Sequence, residues 1–490
     1  MAMISPQDLA DLKVTIVGAG REGTALARFL APLGTRITLS DTKAAEDLRG
    51  ELATLEGLDL EFALGGEAPA LDVDVLFISP GVPPSAPVVQ RAREEGIPIS
   101  SEPRLFTQLC RAPVVGITGS SGKTTTTALV GEMFRAGGKE TWVGGNIGFP
   151  LTNRLSEGSA PEVAVMELSS FQLELFSPDY QGKDVERERS EASRVVSLRG
   201  WSPHVAAITN ITPNHLDRHP TMAAYVRAKS FILAFQGRDD WAILNADDAY
   251  CGEMAASSVG QLVQFSLEGP VSRGAFMQGD RLLLRWGGRE EMICRASEVR
   301  LRGRHNLANI LAAACCAAVG GVDVAAMGHV ARRFVGMSHR LEEVCRWQGV
   351  LFVNDSIATT PARAMAAVRS FEEPQILLAG GRDKHLPWDL WADLVLARVK
   401  HVIAFGEARP IICEALDEAR QRCAPRACNT GVHVRESLGG AVSLAAELAG
   451  EGDVVLLSPG GASYDAFEDF EARGEAFRDL VAGLKGKRSS

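Results

Sequence analysis

The sequence predicts an α/β protein of three domains: a Rossmann-like N-terminal domain, a central P-loop domain and a C-terminal Rossmann-like domain. Three strand-then-helix beginnings predict it: "KVTIVGAGREGTALARFLAPLGTRITLSD" (13–41), "PVVGITGSSGKTTTTALVGEMFRAGG" (113–138) and "VLFVNDS" (350–356). In the first two, an apolar run meets a glycine turn and then an amphipathic segment, the pattern of a buried strand feeding a helix. Later strand-like runs read "QILLAGG", "HVIAFG" and "DVVLLSPGG". Strands alternating with helices imply mainly parallel sheets covered on both faces. The boundaries fall near 111 and 340, giving domains 1–110, 111–340 and 341–490.

Bulk properties narrow the function classes. The 490 residues are 46% apolar and 23% charged, with 51 basic and 61 acidic side chains and a net charge of −10. That balance argues against a general nucleic-acid binder. The nine cysteines contain no C-x-x-C pair, which suits reduced thiols in the cytoplasm better than a disulfide scaffold or zinc site. The opening "MAMISPQDLADLKVTIVG" lacks a charged start before a long apolar run, so no signal peptide is expected. "ILAAACCAAVGGV" is too short to span a bilayer. Residues 177–200, "SPDYQGKDVERERSEASRVVSLRG", are dense in charge and read as a solvated loop or short exposed helix, with a partner-docking loop as the alternative.

The chemistry-bearing residues cluster after the second strand. "GITGSSGKT" (116–124) resembles a phosphate-binding loop but misses the standard spacing: the glycine due five places before Gly122 is Ile117. Main-chain N–H groups of such a loop wrap phosphate oxygens, and the following helix adds its positive N-terminal end. The loop candidates are Gly119, Ser120, Ser121, Gly122, Lys123, Thr124 and Thr125, with Lys123 on the terminal phosphates and Thr124 supplying a hydroxyl to Mg²⁺. Glu167, ending the apolar run of "VAVMELSS", stands where a further Mg²⁺ ligand is wanted; the alternative is a helix cap. His215, Asp217 and Arg218 follow another strand, with Lys229 on the next helix, and a metal and phosphate role is favoured for this group. In the first domain, Gly18-x-Gly20-x-x-Gly23 is the dinucleotide fingerprint, and Asp41 would suit the ribose of NAD.

Nine segments in series carry a resemblance: "GITGSSGKTTT", "GGNIG", "ELSSFQLE", "TPNHLDRH", "YVRAKSFIL", "GRHNLANILAA", "MSHRLE", "VNDSIATTPA" and "LLSPGGASYDAFEDFEARG". In this order the chain resembles the Mur ligase family, in particular its glutamate-adding branch, over nearly all its length except 177–200. The family's loop reads T-G-x-x-G-K-[ST], so Ile117 fits the family spacing. Ser121 stands where the family usually has asparagine.

The resemblance implies an ATP-dependent amide ligase of peptidoglycan precursor synthesis. ATP would phosphorylate the terminal carboxylate of UDP-N-acetylmuramoyl-L-alanine, and the amine of glutamate would attack the acyl phosphate. Catalysis would then be positioning and charge neutralisation, with Lys123, Glu167, His215 and Lys229 as its residues. Two Mg²⁺ sites are implied, with Thr124, Glu167 and His215 as ligands. Lys229 aligns with a lysine that the family carbamylates; an ammonium cannot ligate Mg²⁺, but a carbamate can. Asn306, Asn309, Arg340 and Asp355 would meet adenine and ribose. His339 and Arg340, at the join of the second and third domains, would serve a hinge that closes over ATP. In the N-terminal domain, Gly20, Arg21, Glu22, Asp41, Thr42, Ser79 and Gly81 would hold the UDP end, in preference to NAD because no dehydrogenase domain is visible. Asn146, Ser169 and Gln172 would take the muramoyl-peptide end. A cytoplasmic monomer is implied.

The amino-acid pocket departs from the family pattern. Ile357 stands in place of lysine, and Thr360 in place of asparagine. The remaining glutamate candidates are Thr359, Lys384, Ser463 and Phe470, with Arg382 as a possible substitute for the missing charge. D-glutamate is expected, with L-glutamate as the alternative. The rival readings are another amino-acid ligase of the fold, including a folylpolyglutamate-type enzyme, an NAD-dependent dehydrogenase, and an ATP-binding regulatory protein.

Overall fold

A computed structural model describes residues 4–146, 150–155, 160–181, 200–213, 219–336, 338–383, 386–422 and 429–486. The chain divides into two compact units, Met1–Phe334 and Val335–Ser490. Among the described residues, the first unit contains two sheets and the second contains one.

The first sheet comprises β1 (Lys13–Val17), β2 (Arg36–Ser40), β3 (Glu61–Ala63), β4 (Val75–Ile78) and β5 (Ile99–Ser100), in the order β3-β2-β1-β4-β5. Every pairing in it is parallel. The helix Arg21–Leu30 packs tightly on the strand before it because Gly23 has no side chain: a Cβ there would lie 1.9 Å from the Gly18 carbonyl oxygen. This is the close helix–strand approach that the third fingerprint glycine permits.

The central sheet has nine strands: β6 (Val114–Thr118), β7 (Thr141–Gly145), β8 (Val163–Glu167), β9 (Val205–Ile208), β10 (Trp241–Asn245), β11 (Gln261–Ser266), β12 (Gly274–Gln278), β13 (Arg281–Trp286) and β14 (Arg289–Arg295). Their order is β14-β13-β12-β11-β10-β9-β6-β8-β7. The strands from β7 to β12 pair in parallel, whereas β12-β13-β14 form an antiparallel meander. Its β13–β14 turn is Gly287-Gly288, both at positive φ, the left-handed pair that a two-residue hairpin requires. The apolar stretch near 310–319 belongs to the helix Arg304–Val319, buried from Asn309 to Ala318 against the helix Lys123–Ala136. Its alanines and cysteines are apolar on all sides because they face core, not lipid. No described helix is long and apolar enough to cross a membrane.

The second unit holds β15 (Glu342–Trp347), β16 (Val350–Asn354), β17 (Gln375–Gly380), β18 (Val399–Phe405), β19 (Gly431–Val434) and β20 (Val454–Gly460), ordered β15-β16-β20-β17-β18-β19. All pairs are parallel except β15-β16. β15 is a strand that the sequence conceals. "EEVCRW" lies at the sheet edge and buries none of its six residues fully, so it lacks an apolar run. The charged segment 177–200 opens with a short 3-10 helix, Pro178–Gln181; residues 182–199 lie outside the described ones.

Candidate active site

The phosphate loop joins β6 to the helix Lys123–Ala136. Gly122 caps that helix in the left-handed region, φ 79°, and a Cβ on it would lie 2.3 Å from Asn309 Oδ1. Glycine is therefore required twice at this position, for its φ and for its emptiness. The loop is braced from β9: Asn210 Oδ1 accepts from Ser121 N at 3.0 Å and Ser121 Oγ at 3.2 Å, and Thr209 Oγ1 donates to Ser121 O at 2.6 Å. Ser121 thus keeps a structural partner in the place where asparagine is usual. Ser120 Oγ donates to Thr212 O at 2.9 Å and lies 3.1 Å from Tyr225 Oη. Lys123 Nζ curls over the loop onto Gly119 O at 3.0 Å and Ser120 O at 3.4 Å, and Thr125 is half-buried one residue beyond Thr124.

A hydrogen-bonded line leaves the loop. Thr124 Oγ1 donates to Glu167 Oε2 at 2.8 Å, and Asn146 Nδ2 donates to Glu167 Oε1 at 2.8 Å. Glu167, 2% exposed, is not a helix cap: Ser169 caps the helix Ser170–Glu174 in a reciprocal box with Gln172. A carboxylate at the end of β8 and a hydroxyl in the first turn of the helix that follows β6, its parallel neighbour, make an oxygen donor set that suits Mg²⁺. No group of three or more His, Cys, Asp or Glu that could hold a metal ion occurs among the described residues. His215, Asp217 and Arg218 lie outside the described residues.

Lys229 is the unusual group. The helix Met222–Ala234 buries Tyr225, Ala228, Lys229 and Ile232, the i, i+3, i+4, i+7 face, so a lysine occupies an apolar stripe. It is 1% exposed; its Nζ donates to Gly119 O at 2.8 Å and Thr118 Oγ1 at 3.3 Å, and it stands 4.8 Å from the Tyr225 ring centre. Burial, with the Lys123 charge adding to it and Glu167 opposing, drops its pKa to about 6. At neutral pH it is an amine.

Asn306 and Asn309, three apart on one helix, are joined to each other and to the loop. Asn309 Nδ2 donates to Asn306 Oδ1 at 3.0 Å, and Asn309 Oδ1 accepts from Thr126 Oγ1 at 3.3 Å. Asn306 Nδ2 in turn donates to Arg302 O at 2.7 Å.

The N-terminal fingerprint opens onto a cleft that Gly20, Arg21, Glu22 and Ser79 line from one side and Gly145, Asn146 and Pro150 from the other. It brings five of the expected substrate residues together. Gln172 joins them by donating to Glu22 Oε1 at 2.7 Å, and accepts from Ser169. Asp41, Thr42 and Gly81 are not among these lining residues; Asp41 bridges Ala19 N at 2.8 Å and Lys43 N at 2.9 Å.

Sequence reasoning missed the acid beneath Glu22. Glu102, 1% exposed, accepts from Thr152 N at 2.8 Å and Thr152 Oγ1 at 2.9 Å. One oxygen of each carboxyl, Glu22 Oε2 and Glu102 Oε2, is buried without a hydrogen-bond partner. Burial first, and the neighbouring Glu102 second, push Glu22 up to about 8, against Gln172 and Arg21, which act the other way. Burial likewise raises Glu102. A raised carboxyl pKa means that the fold binds more protons than the unfolded chain between the two pKa values, so stability falls as pH climbs from about 4.5 to 8. Glu22→Gln is expected to remove part of that fall. The melting temperatures of variant and wild type should be close at pH 5 and should separate in the variant's favour, by the equivalent of about 1 kcal/mol or more, by pH 8. Parallel curves would mean that Glu22 ionises normally.

In the second unit the expected residues gather at the carboxyl ends of β16 and β20, the edge where open α/β sheets bind ligands. Asp355 Oδ2 accepts from Ser458 Oγ at 2.8 Å and Oδ1 from Leu341 N at 3.2 Å; burial raises it to about 7. Ser356 Oγ donates to Phe470 O at 2.8 Å, and Gly460 N to Ala358 O at 2.8 Å. Arg473, fully buried, ties both loops with bonds to Ser356 Oγ and O, Gly461 O and Ala462 O. Ser463 is buried and Thr359 half-buried on these loops. Next to Arg340, His339 sits at φ 62° with its ring 3.0 Å from Asn354 Nδ2. Lys384 lies outside the described residues. Arg382, the substitute cation considered from sequence, is held by both oxygens of Glu407 at 2.8 and 3.1 Å.

Comparison with known proteins agrees along the chain. Family models match a Mur ligase MurD-like N-terminal domain at 12–101, a Mur ligase middle domain at 117–181 and 185–317, and a Mur ligase glutamate ligase domain at 339–461. UDP-N-acetylmuramoylalanine--D-glutamate ligase of Symbiobacterium thermophilum is 42% identical over 96% of this chain and 98% of its own length. The protein of that name from Pelotomaculum thermopropionicum is 37% identical over 98% of this chain and 99% of its own. Among solved structures, UDP-N-acetylmuramate-alanine ligase of Thermotoga maritima shares the fold at TM-score 0.56 and 19% identity, covering 96% of this chain and 100% of that one. With one family's models meeting it from residue 12 to residue 461, and relatives of that family matching it nearly end to end, the chain belongs to the Mur ligase family.

Proposed function

We propose that this chain is an ATP-dependent ligase that joins D-glutamate to UDP-N-acetylmuramoyl-L-alanine in the cytoplasm, a step of peptidoglycan precursor synthesis. The observation that carries the reading is the line Lys123–Thr124–Glu167–Asn146, which runs from the phosphate loop to the cleft of the N-terminal fingerprint. A phosphoryl donor and a nucleotide-linked acceptor would then lie at the two ends of one set of polar groups. The two relatives reported above carry the name of this reaction over nearly their whole length.

The reaction needs no protein nucleophile. The γ-phosphoryl group of ATP passes to the alanine carboxylate, releasing ADP. The glutamate amine attacks the acyl carbon, and the tetrahedral adduct expels phosphate to leave the amide. Lys123 and the loop N–H groups hold the phosphates in line, and the helix N-terminus adds positive potential. Thr124 and Glu167 would hold Mg²⁺, which when bound neutralises charge on the transferring phosphoryl group. His215 and a carbamylated Lys229 would serve a second ion. Asn146, Gln172 and Ser169 orient the muramoyl-peptide end, while Gly20, Arg21, Glu22 and Ser79 face the UDP end. Thr359, Lys384, Ser463 and Phe470 would receive glutamate.

The test is phosphate release with ATP, Mg²⁺ and UDP-N-acetylmuramoyl-L-alanine, with D- and L-glutamate in separate tubes. Release with D-glutamate alone is expected. Release with L-glutamate alone would reassign the amino acid, an alternative that Ile357 keeps in view. Silence in both would overturn the substrate assignment.

A further inference from the structure

We propose that Glu22 and Glu102 share one proton, carried by Glu22, and that this keeps the acid in the cleft neutral toward a substrate that brings a diphosphate. The inference deepens the ligase reading above and rests on it for the substrate. Glu22 lines the cleft of the N-terminal fingerprint, and Glu102 is buried on the helix Glu102–Leu109, which packs against that of Glu22. Each carboxyl has one well-bonded oxygen. Glu22 Oε1 accepts from Gln172 Nε2 at 2.7 Å, and Glu102 Oε1 accepts from Thr152 N at 2.8 Å and Thr152 Oγ1 at 2.9 Å. The other oxygen of each, Oε2, is buried without a hydrogen-bond partner. Two ionised carboxyls offer only acceptors and cannot satisfy one another; one proton turns the pair into a donor and an acceptor. The donors decide where it sits. Glu102 has both groups of Thr152 and the Leu151 N–H, against a single donor at Glu22, so Glu102 keeps the charge and Glu22 the proton.

The consequence falls on the ligand. Glu22 stands in the first turn of the helix Arg21–Leu30, whose positive end attracts anions. An ionised Glu22 would compete there with a diphosphate; a neutral one leaves the helix end to the ligand. Glu102 is thus a positioning residue, acting on the substrate through Glu22. The surrounding charges do not replace it. Glu102 and Arg21 are the two felt at Glu22, and burial together with Glu102 outweighs Arg21, pushing Glu22 up to about 8. On the packed helices, Arg104 donates to Leu175 O, Arg154 is exposed, and Arg49 and Glu51 belong to the helix Arg49–Ala53. Lys13 and Arg36 begin β1 and β2, at the sheet edge away from the fingerprint. Beyond Gln172 on its own helix, Glu174 lies 3.7 Å from His219. The simpler reading, a water donating to both Oε2 atoms, leaves both carboxyls charged and predicts no proton uptake with substrate.

The experiment is titration calorimetry of the wild type with UDP-N-acetylmuramoyl-L-alanine near pH 8.5, in two buffers of different ionisation enthalpy, joined to KM measurements from pH 7 to 9. Binding should take up a proton, and KM for this substrate should rise about tenfold over that range while KM for ATP does not follow. Glu22→Gln mimics the protonated acid and should lose both the uptake and the pH dependence. Glu102→Gln still accepts from Thr152 and turns an N–H toward Glu22, which then holds the charge. Its KM at pH 7 should stand about tenfold above that of Glu22→Gln. Wild-type binding without proton uptake would overturn the proposal, a result that needs no variant to fold. A Glu102→Gln enzyme with the same KM as Glu22→Gln would overturn it as well, because charge at Glu22 would then not matter. Absence of binding at every pH would instead overturn the reading of the cleft as the UDP site.

Discussion

Lys123→Ala is expected to lower turnover by on the order of 10²–10³-fold while leaving the fold intact. The side chain is only half-buried, and its bonds run to two loop carbonyls, Gly119 O and Ser120 O. Removing it strips no hydrophobic contact from the core. What it removes is a positive charge at the N-terminal end of the helix Lys123–Ala136, where the terminal phosphates of ATP must lie if the loop is a phosphate cradle. The charge on those oxygens redistributes most during transfer, so the loss should appear in kcat more than in KM for ATP. Rapid-mix phosphate release and ATP binding, measured on the same preparation, separate the two. A variant that retains turnover within about threefold would mean that the glycine loop serves some other purpose. Thr124→Ala should mimic part of the defect and shift the Mg²⁺ dependence, because Thr124 is the group that engages Glu167.

The parts of this site that were legible in the sequence are the parts whose physics is local. Gly122 needs a left-handed φ, and Gly23 needs to be empty beside the Gly18 carbonyl; both demands write glycine into a short motif. The helix that carries Lys229 is equally readable, since residues 225, 228, 229 and 232 fall on one face. What was not legible depends on contacts distant in sequence. The Glu22 and Glu102 carboxyls come from separate helices, and their second oxygens lack partners only because the helices pack together. Arg473 closes on Ser356 from 117 residues away. The antiparallel edge strands β14 and β15 were missed for another reason: edge strands are half-exposed, so their side chains lose the continuous apolar run that marks a buried parallel strand.

The second large effect concerns Lys229. A lysine buried this fully would be a poor choice for a permanent ammonium, and the surroundings have already settled the matter: burial and the Lys123 charge bring its pKa to about 6. Only the neutral amine attacks CO₂, by R–NH₂ + CO₂ → R–NH–COO⁻ + H⁺, so this environment keeps the nucleophilic form populated at pH 7 and above. The product exchanges a neutral amine for an anionic end beside Thr118, Gly119 and the phosphate loop. Lys229→Ala is therefore expected to lose about 10²-fold or more of turnover, and short carboxylic acids should restore part of it by placing an anion in the vacated space. Lys229→Arg, which imposes a permanent cation and cannot form the carbamate, should be as inactive as alanine and should not respond to those acids. Labelled CO₂ should give the wild type a carbamate carbon resonance that both variants lack. An alanine variant with unimpaired turnover would remove Lys229 from the mechanism. An arginine variant with near-normal turnover would show that positive charge, rather than a carbamate, is what this position contributes.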